Sequence, residues 1–277
     1  MEKENKLVKK VKRLLRKAGL PRWLHRFGPK KYEFWHHALA LLVKQECKLG
    51  YRRISRLFNL LGIVVPTYSA LAKMAKRLPP ELWRRILSAT CSQPVLAAID
   101  STGLSRTSPS WYYIKRIDKP YPTEGFVKLS VMTDTRLKKV LALRVRAKPR
   151  HDLQDVKCLL KLAPKPGKLL GDKAYDAEWL HELAFRKGIT TVIPSRVTTK
   201  KGFYRHKMQR QFRQRTYNRR SMVESFFSAF KRKFGSSVSC RSARTQRAEI
   251  YCRAIMHNIT AAIKEIFNAA QSRATTL

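Results

Sequence analysis

A five-residue apolar run, Val95–Ile99 (VLAAI), ends on an aspartate, Asp100, and constrains the fold more than any other feature of the chain. It is too short for a helix and apolar at every position. That is the pattern of a strand covered on both faces in the middle of an α/β sheet. Two longer runs follow, Phe126–Thr133 and Val140–Ala147, with a polar turn at 134–136 between them, as in a pair of antiparallel strands. Leu169-Leu170 and Thr191–Ile193 are two further compact strands. Helical periodicity fills the intervals 151–162 and 177–187 and returns at about 219–234 and 245–270. Three consecutive strands followed by alternating helices and strands predict an α/β fold. Its core is a mixed five-stranded sheet with an antiparallel start, flanked by helices.

Upstream of Pro79-Pro80 the pattern is helical throughout. Leu7, Val8, Val11, Leu14 and Leu15 recur at helical spacing among lysines and arginines, and a second helix is expected over 31–48. Tyr51–Leu61 and Tyr68–Leu78 flank Gly62 and Pro66, and a short helix over 81–88 follows the prolines. Helix, glycine turn and helix make a candidate helix-turn-helix. A plain bundle with basic, solvated faces accounts for the same pattern. The expected division is therefore a small all-α, basic domain at 1–90 and an α/β domain with C-terminal helices at 91–277.

Charge limits the partners. Lys and Arg number 60 against 18 Asp and Glu, a net charge of +42. The excess is spread along the chain, with 22 basic and 5 acidic residues in 1–90. A polyanion is implied, and nucleic acid fits better than a membrane because both ends are basic. No apolar run approaches a membrane span, and MEKENKLVKKVKRLLRK has no signal-peptide core, so a cytoplasmic, nucleoid-associated protein is expected. The five cysteines form no C-x-x-C pair, which argues against a disulfide framework or a zinc site.

In so basic a chain the positions of the acids carry weight. Asp100 and Asp172 each end a short apolar strand, at the mouth of a sheet where open α/β folds bind ligands. Either one alone reads equally as a turn or cap aspartate. Glu224 closes a stretch that begins after Lys187 and holds ten basic residues and no other acid. At about 100° per residue Tyr217, Arg220, Glu224 and Lys231 share one helical face, while Met222, Val223, Phe226, Phe230 and Phe234 occupy another. A solvated polar stripe has the same phase.

The segment YNRRSMVESFFSAFK, with Tyr217, Arg220, Glu224 and Lys231 at set spacings, resembles the Y-R-E-K signature of insertion-sequence DDE transposases. AIDSTG around Asp100 and GDKAYD around Asp172 resemble the aspartate motifs of that family, and His151-Asp152 resembles a further pair found there. The likeness runs over about 95–260. It implies an RNase H-like core in which Asp100, Asp172 and Glu224 are catalytic and hold two Mg²⁺ ions, with Mn²⁺ as a substitute. It further implies DNA contacts from Tyr217, Arg220 and Lys231, joined by Arg213, Arg215, Lys200 and Lys201, with His151 and Asp152 in support behind the carboxylates. The expected activity is metal-dependent cleavage and strand transfer at terminal inverted repeats and target DNA, by a homodimer on double-stranded DNA. Glu224 follows Asp172 by 52 positions, which leaves no room for the large β-rich insertion of some members. Phe203 and Tyr204 are the aromatics of this short connection, and Trp111, Tyr112 and Tyr113 follow the first aspartate; packing and base stacking are both open to them. Two other readings stand beside this one: a non-catalytic basic DNA-binding protein, and a different RNase H-like nuclease.

Overall fold

The computed structural model describes residues 6–24, 27, 30–106, 115–116, 125–148, 150–196 and 201–274. It contains two compact units, one formed by 92–246 and the other by 1–91 together with 247–277. The first seam falls between Cys91 and Ser92. The C-terminal helix from Arg247 onward groups with the N-terminal helices, not with the sheet.

The helical unit contains α1 (Lys6–Lys17), α2 (Phe34–Glu46), α3 (Tyr51–Leu60), α4 (Tyr68–Arg77) and α5 (Pro80–Ala89). Pro80 sits in the first turn of α5, where its missing N–H costs nothing, so the pair that breaks one helix starts the next. The end of α1 is tied to α5 by Arg85, whose guanidinium donates to the carbonyls of Ala18 (3.0 Å) and Gly19. Between α3 and α4, Gly62 adopts φ +66°, and Thr67 Oγ1 caps α4 by accepting from Ala70 N.

The sheet unit is built on β1 (Leu96–Arg106), β2 (Phe126–Asp134), β3 (Val140–Arg146), β4 (Lys168–Leu170) and β5 (Thr190–Val192). The strand order is β3-β2-β1-β4-β5. The β1–β2 and β2–β3 pairs are antiparallel, whereas β1–β4 and β4–β5 are parallel. The mixed sheet with an antiparallel start is what the strand pattern anticipated, and its order is that of an RNase H-like core. Helices α6 (Leu153–Leu162), α7 (Glu178–Arg186), α8 (Phe203–Gln211) and α9 (Ser221–Phe234) complete the unit. A two-residue strand, β6 (Ser237–Val238), pairs with the far end of β1. The last helix, α10 (Ala243–Ala274), begins in this unit.

Apolar side chains make the centre, with Ala97, Ala98, Ile99, Leu104, Val127, Leu129 and Leu169 buried in the strands and Val223, Phe226 and Phe230 in α9. One ionic anchor lies within it. Asp155 on α6 is buried and accepts from Ser130 Oγ (2.8 Å) and Arg146 Nε (2.6 Å), with Arg144 Nε at 3.1 Å. A buried carboxylate is tolerable only with such partners, and these fix α6 against β2 and β3.

Candidate active site

Register places the two aspartates side by side. Ala98 of β1 pairs with Leu170 of β4 in parallel, and Asp100 and Asp172 each lie two residues beyond that pair. Side chains alternate with period two and neighbouring strands are about 4.8 Å apart, so both carboxylates are level and on one face. Asp100 Oδ1 accepts from Ser101 N (2.7 Å). Burial pushes its carboxyl up, and neighbouring Asp172 and Asp152 push the same way, against the Ser101 N–H and Arg220.

Asp172 caps the 3₁₀ turn Lys173–Tyr175, its Oδ1 accepting from Ala174 N at 2.9 Å. The turn is clamped from outside. Arg196 donates through Nε to Lys173 O and through Nη2 to Ala174 O, both at 2.9 Å. Tyr175 then folds back under Gly171, where a Cβ would stand 3.1 Å from Tyr175 Cβ. Its buried hydroxyl has no hydrogen-bond partner among the described residues. Burial, then the charges of Asp152, Asp100 and Asp172, hold this phenol in its protonated form. Tyr175 was not a residue of the sequence argument. Its one signal was an aromatic in a turn otherwise made of small and polar residues.

Glu224 is in the first turn of α9, and its side chain is 55% exposed. Arg220 precedes the helix and donates to Glu224 Oε1 through Nη2, while its Nη1 lies 3.7 Å from Asp100 Oδ2. One guanidinium thus links a strand carboxylate to the helix carboxylate. Burial works to lower the Arg220 pKa but is outweighed by Glu224, Tyr217 and Asp100, so the net shift is upward and the group stays charged. Tyr217, half-buried, lies against Phe212 with ring centroids 5.6 Å apart. Lys231 is in the last turn of α9. Among the described residues, no three His, Cys, Asp or Glu side chains are gathered closely enough to hold a metal ion as they stand.

Asp152 sits just before α6, but its carboxylate does not cap the helix. It accepts from Ser101 Oγ (2.7 Å) and pairs with Lys128, so it reaches the residue next to Asp100. Burial would raise its pKa; Lys128 and Ser101 outweigh that and hold it below the usual range. His151 is exposed and accepts from Leu153 N through Nδ1.

The basic connection is only partly a solvent-facing surface. Lys201, Arg210, Arg213, Arg215 and Arg219 are exposed. Lys200 lies outside the described residues, as do Trp111, Tyr112 and Tyr113. Arg205, one of the ten basic residues between Lys187 and Glu224, is buried. Its Nε donates to Asp176 Oδ1 (2.8 Å), and the same carboxylate receives His181 Nε2 (3.1 Å) and Arg196 N (2.8 Å). The connection is also not irregular, since it contains α8, whose first amides at Tyr204 and Arg205 donate to Glu178. Gly202, at φ +134°, is required there because a Cβ would lie 2.2 Å from Glu178 Oε2. Phe203 is exposed, and Tyr204 packs on Phe185.

Residues 92–259 match the family model described as a transposase DDE domain. The chain belongs to this family. No curated protein matches it. Among solved structures, it is similar to a piggyBac transposase synaptic complex with hairpin DNA at 12% identity and TM-score 0.42, covering 94% of this chain and 74% of that one. It is also similar to the Mos1 strand transfer complex at 13% identity and TM-score 0.25, covering 91% and 84%. Among the described residues of this transposase-family chain, no helix is long and apolar enough to cross a membrane.

Proposed function

We propose that the protein is an insertion-sequence transposase that cuts and rejoins phosphodiester bonds at the ends of its element, with Asp100, Asp172 and Glu224 as the catalytic carboxylates. The supporting observation is the level placement of Asp100 and Asp172 on neighbouring strands, with Glu224 tied to Asp100 through Arg220. The donor set is all oxygen, which suits Mg²⁺ or Mn²⁺. The two aspartates repel each other in a part-buried place, and the buried Tyr175 hydroxyl beside them lacks a partner, so the residues fit a cation. Asp100, Asp172 and Glu224 would hold it; divalent ions, when bound, supply activation of the attacking hydroxyl and charge for the leaving oxygen.

The chain's own residues do the rest. Arg220 donates to Glu224 and lies 3.7 Å from Asp100; with those carboxylates engaged elsewhere its planar fork would be available to a phosphodiester. Tyr217 and Lys231 extend this face, and Arg213, Arg215, Lys200 and Lys201 continue a basic path for the DNA backbone. Asp152 and Lys128 fix Ser101, and Arg196 fixes the turn that carries Asp172. The basic helices of 1–90 recognise the terminal repeats, the domain 91–277 carries the chemistry, and two copies act on double-stranded DNA in the cytoplasm.

The exposure of Glu224 favours one rival, a DNA-binding protein without catalysis. Single-turnover cleavage of the flanking DNA ends in Mg²⁺, with a mobility-shift assay in parallel, separates the two. Asp100→Asn, Asp172→Asn and Glu224→Gln are expected to abolish cleavage and leave binding within a few-fold. Full activity of Glu224→Gln removes the assignment.

A further inference from the structure

The start of β1, four residues before Asp100, borders a cleft of about 590 Å³. Arg136 from the β2–β3 turn, Lys168 at the start of β4, and Arg215 and Arg219 from the segment before α9 line it. All four are exposed, and none pairs with a carboxylate among the described residues. The acid in the lining, Asp134, is buried, and its Oδ1 accepts from the amides of Arg136 (2.7 Å) and Leu137 (3.3 Å). Four cations from three separate segments therefore converge on one concavity, and its one acid, Asp134, is turned to backbone amides and pairs with none of them among the described residues. Like charges gathered in this way repel, and an anionic ligand is what relieves them.

We propose that this cleft is a second DNA-binding station, which takes the phosphodiester backbone of the same duplex that the carboxylates cut. The proposal rests on the catalytic reading for its register only. Leu96, in the cleft wall, is four residues from Asp100, or about 13 Å along an extended strand. A strand of the backbone that crosses both therefore meets the cleft a few phosphates at most from the one beside Asp100. Arg219 in the cleft is adjacent in sequence to Arg220 at the carboxylates, so the two stations share one backbone segment. A backbone crossing both is gripped on either side of that segment, which sets where along the strand the cut falls.

The test uses the full chain and needs no catalysis for its first arm. Binding of a long duplex is measured against salt without divalent ions for the native protein and for Arg136→Ala/Lys168→Ala. Each lost phosphate contact takes about 0.9 from the slope of log K against log salt, so the pair is expected to lower it by about 2. Arg136→Lys/Lys168→Arg, which keeps the charges, is expected to hold the native slope. In the second arm, neutral methylphosphonate links are placed one at a time along an end fragment. Only those within a few nucleotides of the cut, on one side of it, are expected to abolish the difference between native and doubly substituted protein. An unchanged slope in the alanine pair, or the same slope loss in the charge-keeping pair, overturns the proposal. A lowered slope in the alanine pair, with a native protein that cuts no DNA, keeps the cleft and removes the catalytic reading.

Discussion

Replacing Arg205 by alanine leaves a buried anion without its cation. The Arg205 side chain is 4% exposed and the Asp176 carboxylate fully covered, with Nε and Oδ1 2.8 Å apart. The remaining partners of Asp176 are one ring nitrogen of His181 and the amide of Arg196. Neither carries a charge at neutral pH, since burial holds the imidazole pKa down against the pull of Asp176. Breaking a buried pair from one side costs about 3–5 kcal/mol, because the surviving charge stays desolvated. For a unit of this size, each kcal/mol moves the melting temperature by about 2–4 °C, so a fall of about 6–20 °C is expected. Calorimetry of the full chain measures it, and urea melts at fixed pH give the free energy. Arg205→Ala/Asp176→Asn is the second arm. An amide needs no cation, so the double variant is expected to recover a substantial part of the loss. A loss below about 1 kcal/mol in the single variant, or no recovery in the double, refutes the reasoning. Cleavage is expected to fall further than stability explains, because Asp176 also positions Arg196, which clamps the turn after Asp172.

Two other outcomes follow. His181 is held neutral by burial, so the unfolded chain takes up a proton below about pH 6.5 that the folded chain refuses. Stability is therefore present above that pH and falls on acidification. Asp176, whose folded pKa is lowered because its three donors outweigh burial, adds a second loss at lower pH. Melting temperatures between pH 7.5 and about 5.5 check the first step, and a flat profile rules it out. In the helical unit, Arg52, Arg53 and Arg56 are exposed on α3. Changing all three to alanine is expected to reduce the preference for element ends over random duplex at least about tenfold, given about 1–3 kcal/mol for each base-reading contact. Competition binding measures it, and an unchanged preference moves recognition elsewhere in the chain.

What could be read from the sequence was whatever depends on local pattern. The apolar run before Asp100 and the alternation in 126–133 mark strands without outside help, and the aspartates stand out because acids are scarce. What could not be read depends on partners far along the chain. Strand β1 continues to Arg106 through Ser101, Thr102 and Gly103, which look like loop, because β2 supplies their ladder. Helix α8 has no apolar periodicity to announce it; it stands because Glu178 caps its amides and Gly202 leaves space for that carboxylate. Strand β6 is two residues long and exists only as an addition to β1. Asp155 and Asp176 looked like ordinary surface acids. Their burial is possible only because Arg146 and Arg205 meet them, the second from 29 positions away.

The acids of this unit fall into two groups by how their charge is answered. Asp155 and Asp176 are buried and each is met by arginine at hydrogen-bond distance, so their negative charge is spent inside the fold. Asp152 is met by Lys128 and Ser101 and is held ionised. Asp100 is different. Its side chain is 20% exposed, beside Asp172 and Asp152, and its one cation in contact among the described residues is Arg220 at 3.7 Å, shared with Glu224. In a chain of net charge +42, a carboxylate whose pKa still rises is a carboxylate the protein has not neutralised with its own side chains. Arg220 bridges the gap between strand and helix but sits too far from Asp100 for a hydrogen bond. An electrostatic arrangement of this kind is poor as structure, because an apolar or fully paired replacement would be more stable. It is well suited to exchange, in which a small, doubly charged cation takes over the carboxylates and the guanidinium moves to a phosphate. The same argument distinguishes Arg220 from Arg205. Both pair with carboxylates, but Arg205 is 4% exposed and its pairing complete, whereas Arg220 is 22% exposed and incompletely paired, as the proposed DNA contact requires.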